Sequence, residues 1–94
     1  MRLRADLAEA HDGLARALVS QGRPAEALEE FRETMRLRPA DAVARYNLGN
    51  ILAGLGRVDE AAVQFREALR LNPGLREAQV RLERLAGERA RSAR

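Results

Sequence analysis

The sequence predicts an all-α protein in which antiparallel helix pairs stack side by side. Three observations lead to this fold class. Alanine, leucine, glutamate and arginine dominate the chain, and the β-branched residues that favour strands are scarce. The sequence repeats itself after 34 residues without a gap. Glycine and proline recur at matching points of the two copies, where helices are expected to end.

The internal repeat aligns residues 8–41 with residues 42–75, and 14 of the 34 aligned positions are identical. Identical residues include glycine, phenylalanine and proline, which a composition rich in alanine and arginine would not align by chance. The matching pairs that carry this argument are Gly22 and Gly56, Phe31 and Phe65, and Pro39 and Pro73. Each copy is therefore predicted to be one structural unit.

The same register extends beyond both copies. Residues 1–4 repeat residues 35–38 letter for letter, and Ala78 and Leu82 align with the first helix of each copy. We therefore expect one repeat domain over residues 1–94. Its predicted parts are 1–7, a remnant of a preceding repeat; 8–41, repeat one; 42–75, repeat two; 76–88, a C-terminal capping helix; and 89–94, a basic tail.

Turn-forming residues give the limits of the predicted helices. Gly22 and Gly56 suit the left-handed residue that ends a helix. Pro24 suits a first helical turn, and Pro39 and Pro73 would end the second helix of each pair. The five predicted helices cover residues 8–20, 24–37, 42–54, 58–71 and 75–88.

The second copy carries a recognisable motif. Its Leu48-Gly49, Ala61, Phe65, Ala68 and Pro73 stand at the spacings typical of the tetratricopeptide repeat, and the chain resembles that family. The resemblance implies two repeats plus a C-terminal capping helix in a right-handed superhelical stack. It also implies a non-catalytic scaffold that binds a peptide or partner protein in a concave groove.

In the family that the chain resembles, the first helix of each pair lines the groove. The resemblance places nine residues on that face: Asp12, Arg16, Val43, Tyr46, Asn47, Asn50, Glu77, Arg81 and Arg84. The two asparagines could hold a peptide backbone, because an amide both donates and accepts hydrogen bonds, or could be ordinary surface residues. Tyr46 could contact a ligand or pack between repeats.

Arg81 and Arg84 could bind a carboxylate, or could pair with Glu77 and Glu88 one helical turn away. Some members of the family clamp the C-terminal carboxylate of a chaperone. Asn47 and Arg81 match that clamp, whereas Asp12, Arg16 and Glu77 do not, so we do not expect it here. Gly13 and Arg81 likewise interrupt the asparagine ladder that other members carry.

Composition excludes several other functions. The chain has no cysteine and one histidine, His11, so we expect no metal and no cofactor. No apolar run is long enough to span a bilayer. The absence of cysteine fits a reducing compartment, and the cytoplasm is the default expectation. The net charge of +3 lies wholly in residues 76–94, where no aromatic residue accompanies the arginines, so we do not expect nucleic-acid binding.

The alternative to peptide binding is self-association into a homo-oligomer, in which uncapped repeat ends stack on one another. Nothing in the aligned repeats would cover the outer side of the first helix. Its apolar residues Leu3, Leu7, Ala10 and Leu14 are therefore expected to be exposed, although terminal repeats usually present a polar face.

Overall fold

The computed structural model describes the backbone of residues 3–92 and the side chains of residues 7–88. Within this range the chain forms five helices and no strand: α1 (Leu3–Ser20), α2 (Pro24–Leu37), α3 (Ala42–Gly54), α4 (Val58–Leu71) and α5 (Arg76–Ser92). Each helix packs against the next one along the chain. The result is an elongated, thin molecule with extents of 53 × 30 × 16 Å.

Glycines end the first helix of each pair. Gly22 and Gly56 have positive φ angles of 74° and 80°, which a side chain would disfavour. The amide of Arg23 donates to the carbonyl of Leu18 at 2.8 Å, and Arg57 repeats this bond at its equivalent position. These bonds satisfy carbonyl groups that the helix end would otherwise leave without partners. The chain then reverses direction into the second helix.

Proline and an aspartate cap mark the helix starts, and two further prolines follow the ends of α2 and α4. Pro24 stands in the first turn of α2, where its missing amide proton is harmless. The Asp41 side chain caps α3 by accepting a hydrogen bond from the Ala44 amide at 3.0 Å. Pro39 and Pro73 lie two residues beyond the last residues of α2 and α4, where a helix could not continue.

The structure corrects two predicted helix limits. Helix α1 begins at Leu3 rather than residue 8, so the described part of the predicted remnant continues α1. Helix α5 begins at Arg76 and runs to Ser92 rather than 88, into the predicted basic tail. The repeat register explains both differences: Ala5 occupies the position of Pro39, and Ala90 that of Gly22, so neither helix meets its usual stop. Residues 1, 2, 93 and 94 lie outside the described residues.

A small residue opposite an aromatic ring brings the helices of each pair together. Ala15 and Phe31 are both buried between α1 and α2. At the equivalent place Gly49 faces Phe65, and a Cβ atom on residue 49 would stand 2.6 Å from the ring. The two largest fully buried side chains are thus equivalent phenylalanines that fill the same gap in successive pairs.

Repeated ion pairs cover the second helices. Arg23 binds Glu26 through two hydrogen bonds at α2, and Arg57 binds Glu60 in the same way at α4. Arginine–glutamate pairs also recur near the ends of the same helices: Glu33 with Arg36, and Glu67 with Arg70. Water and salt screen exposed pairs of this kind, so they add little to helices that packing holds together.

Candidate functional site

The first helices of the pairs, α1 and α3, and the last helix, α5, carry the candidate site. A cavity of about 460 Å³ opens between α1 and α3. Its walls are mainly apolar, with polar side chains at the edges. The residues that line it are Val19, Phe31, Val43 and Ile51, with Arg16, Asn47 and Asn50. We call this space the apolar cavity.

Two further cavities adjoin α5. One, of about 360 Å³, lies between α3, α4 and α5 and shares Asn50 with the apolar cavity. The other, of about 440 Å³, has Tyr46 on one side and α5 on the other. Both are lined by Arg81 and Arg84. We call this pair the arginine cavities. Because neighbouring cavities share lining residues, the three spaces follow one another along the molecule.

The nine residues predicted to face the groove can be located in this geometry. Eight line at least one cavity: Arg16, Val43, Tyr46, Asn47, Asn50, Glu77, Arg81 and Arg84. Asp12 lines none of the three; its Oδ2 atom binds Nη2 of Arg16 at 2.8 Å. This ion pair within α1 offsets the charge of Arg16, the one charged residue that lines the apolar cavity.

Asn50 lies on the wall shared by the apolar cavity and one arginine cavity. Its Oδ1 atom is buried and accepts no hydrogen bond from the described part of the chain. A buried acceptor without a partner lowers stability. Because this oxygen has almost no exposed surface, Asn50 lines the two cavities with its other atoms.

Arg81 and Arg84 are exposed and lie one helical turn apart on α5. Neither guanidinium makes an ion pair with a side chain of residues 7–88. Glu77 and Glu88, the alternative partners suggested by their spacing, lie on cavity walls without bonding to either arginine. The two arginines therefore present their charge to the cavities rather than to the helix that carries them.

Tyr46 packs inside repeat two, not between repeats, and it also lines a cavity. Its ring lies 5.9 Å from the ring of Phe65, centroid to centroid, and the two planes are inclined at 48°. This tilted contact packs α3 on α4 and fixes the tyrosine. The same side chain lines one arginine cavity, so the core contact positions a groove residue.

Sequence reasoning missed two apolar residues of the apolar cavity, Val19 and Ile51. Val19 lies on α1 three residues after Arg16, a spacing that keeps both on one helix face. That spacing could have revealed it. Ile51 gave no comparable signal, because an apolar residue in α3 is equally expected in the core, where it is in fact mostly buried.

The described residues include neither a group of metal ligands nor a helix suited to cross a membrane. Among them, no group of three or more histidines, aspartates or glutamates is arranged to hold a metal ion. Nδ1 of His11 lies 2.6 Å from Oε1 of Glu30 and joins α1 to α2. No helix in the described part of the chain is long and apolar enough to cross a membrane.

Comparison with known proteins identifies the class of this fold. The family model for the tetratricopeptide repeat matches residues 13–76, which is more than half of the chain. The chain therefore belongs to the tetratricopeptide repeat family. The predicted fold class is confirmed as an all-α, right-handed superhelical stack of antiparallel helix pairs.

Particular solved structures share this arrangement. MamA (41-end) from Desulfovibrio magneticus RS-1 superposes with a TM-score of 0.85 and 28% identity, over 88% of this chain and 47% of that one. The chain thus spans about half of the MamA structure. The second TPR of Spaghetti (RPAP3), bound to the HSP90 peptide SRMEEVD, has a TM-score of 0.86 and 14% identity over 97% and 86% of the two chains. A search of curated proteins finds no match.

Proposed function

We propose that the chain is a non-catalytic scaffold that binds a peptide segment of a partner protein in the groove along α1, α3 and α5. The observation that carries this proposal is the row of three adjoining cavities, which holds eight of the nine groove residues expected from the sequence. Such a row suits an extended segment better than a compact small molecule.

The comparisons support the same function. The tetratricopeptide repeat fold is that of a protein-interaction scaffold, and one similar structure holds a peptide. That structure is only 14% identical to this chain, so it supports the mode of binding and not the identity of the ligand. A single peptide site of this kind would bind with a Kd of about 1 µM, or about 8 kcal/mol.

The proposal is tested with peptides selected from a random displayed library against the immobilised chain. The affinity of a selected peptide is then measured for the wild type, Asn50→Ala, Arg81→Ala and Arg66→Ala. Arg66 is the matched control, because it is exposed on α4 and lines none of the three cavities. We expect both groove variants to lose about tenfold in affinity and the control to bind normally. Equal binding by all four proteins would contradict the groove assignment.

Self-association is the second candidate, and one comparison within the molecule favours it. Leu14 of α1 and Leu48 of α3 occupy the same position in the repeat, yet Leu14 is 49% exposed and Leu48 only 4%. Helix α2 covers the position in α3, whereas nothing in the described chain covers it in α1. Leu7 and Ala10 are exposed on the same helix, and the side chain of Leu3 lies outside the described residues.

Sedimentation at two protein concentrations separates this candidate from a monomeric scaffold. If the α1 surface joins two copies, the wild type sediments as a dimer at the higher concentration, and Leu14→Glu remains a monomer at both. A wild type that stays monomeric throughout removes self-association as a function.

A further inference from the structure

We infer that the partner segment carries a bulky apolar side chain for the apolar cavity and, beside it, a carboxylate for the arginine cavities. This inference rests on the proposed function, because it specifies the chemistry of the peptide that the groove takes. Three independent features of the groove support it, and they are arranged in a fixed order from α1 to α5.

The apolar cavity accounts for the first requirement. Val19 and Val43 are 44% and 49% exposed, although valine is normally well buried. They face a space of about 460 Å³ whose inner walls are Phe31 and Ile51. A leucine or phenylalanine side chain would fill part of this space and remove both valines from water. The gain from burying such a side chain is about tenfold or more in affinity.

The arginine cavities account for the second requirement. Arg81 and Arg84 line both of them, and Arg76 also lines the arginine cavity that contains Tyr46. Each cavity also has one glutamate on its wall, Glu77 or Glu88, so each retains a net positive charge. Two guanidinium groups one turn apart, with no ion pair to the side chains of residues 7–88, can bind a carboxylate with several charge-assisted hydrogen bonds.

The distribution of charge along the groove determines which end takes the apolar side chain and which end takes the carboxylate. Arg16 is the one cation that lines the apolar cavity, and it is paired with Asp12, so the described side chains there offer a carboxylate less positive charge than α5 does. The apolar side chain is therefore placed next to α1, and the carboxylate next to α5. Asn50 lies between them, on the wall that the apolar cavity shares with one arginine cavity.

The inference is tested with fluorescein-labelled peptides of serine and glycine that contain one leucine and one glutamate, separated by about one to four residues. This range covers two adjoining sites for an extended chain at about 3.3 Å per residue. Matched peptides replace leucine by alanine or glutamate by glutamine, and all carry an amidated C-terminus. A further set replaces the glutamate by a free C-terminal carboxylate, to distinguish the two sources of the negative charge.

Fluorescence anisotropy should show that, for at least one spacing, the complete peptide binds about tenfold more tightly than either matched peptide. That preference for the carboxylate, from whichever source, should weaken as salt rises from about 50 to about 300 mM. Arg81→Gln combined with Arg84→Gln should abolish the preference for glutamate over glutamine and retain the preference for leucine. Val43→Ser should reduce only the preference for leucine, and Arg66→Gln should change neither.

Failure of the inference differs from failure of the proposed function. If library-selected peptides bind the groove but no spacing shows a preference for leucine or glutamate, the inference is overturned and the scaffold function stands. A preference for glutamate that survives in the double arginine variant also overturns it. If neither the library nor this series yields a peptide that binds the groove, both proposals fail together. Circular dichroism of each variant confirms that the helices are intact.

Discussion

The ring of Phe65 occupies the space beside Gly49 that a side chain would otherwise fill. A Cβ atom added to residue 49 would lie 2.6 Å from Cε1 of the ring and 2.8 Å from Cδ1. The ring is almost fully buried and also contacts Tyr46, so it has little room to move away. This one pair of residues therefore sets how closely α3 approaches α4.

Gly49→Ala should lower the free energy of unfolding by about 1–3 kcal/mol, because overpacking outweighs the gain in helix propensity. Gly13→Ala is the matched control: Gly13 also lies within a helix, but an added Cβ atom meets nothing within 4 Å. That change should raise stability by about 0.5–1 kcal/mol. Urea denaturation measures both, and effects of the same sign and size would contradict the close contact.

Leu48 and Leu14 occupy equivalent positions in the repeat, but their replacement by glutamate should affect stability very unequally. Leu48→Glu places a carboxylate in the core between α2, α3 and α4 and should cost about 3–5 kcal/mol, enough to unfold much of the chain. Leu14→Glu alters an exposed side chain and should change the stability of the monomer by about 0.5 kcal/mol or less. Thermal melting monitored by circular dichroism distinguishes them; a large loss in Leu14→Glu would show that α1 is covered in solution.

The cap of α3 offers a local test. Asp41→Ala removes the acceptor of the Ala44 amide and should lower the free energy of unfolding by about 1 kcal/mol. Asp41→Asn retains a capping oxygen while it removes the charge, so its stability should remain close to that of the wild type. If both variants lose the same amount, the charge of Asp41, and not its hydrogen bond, stabilises the helix.

The repeated glutamate–arginine pairs predict a specific titration behaviour. A hydrogen bond from Arg36 lowers the pKa of Glu33, and a hydrogen bond from Arg70 lowers the pKa of Glu67 in the same way. A carboxyl group whose pKa falls on folding stabilises the protein above its unfolded pKa, and that contribution disappears as pH drops through the folded pKa.

Carboxyl titration by NMR provides the measurement. In Arg36→Gln the pKa of Glu33 should rise towards its ordinary value, and the pKa of Glu67 should stay where it is in the wild type. Arg70→Gln should produce the reverse result. An unchanged pKa of Glu33 in Arg36→Gln would show that the ion pair does not persist in solution.

The internal repeat allowed most of the fold to be anticipated. Glycine, proline and phenylalanine recur at positions where their physical properties admit few alternatives, so the helices from residue 24 to residue 71 begin and end where predicted. The two terminal helices were less predictable, because a helix continues by default unless a residue stops it. Ala5 and Ala90 occupy the stop positions of the repeat register and let α1 and α5 run on.

The groove was harder to anticipate than the helices. Helical spacing indicated which residues share a face, and Arg81 and Asn50 line the same cavity. Spacing does not reveal which charges are already paired, so it did not show that Asp12 binds Arg16 while Arg81 has no such partner among the described side chains. It also cannot separate an isoleucine of the core from one at the edge of a cavity, as with Ile51.

Glu83 on α5 stands where Gly49 stands on α3, 34 residues earlier. A designer who wished to lengthen the array by grafting another helix onto α5 would find a carboxylate in the gap that an incoming aromatic ring must enter. The graft would therefore require a glycine or alanine at residue 83 first. As long as glutamate occupies that position, its side chain obstructs on α5 the close helix approach that Gly49 allows between α3 and α4.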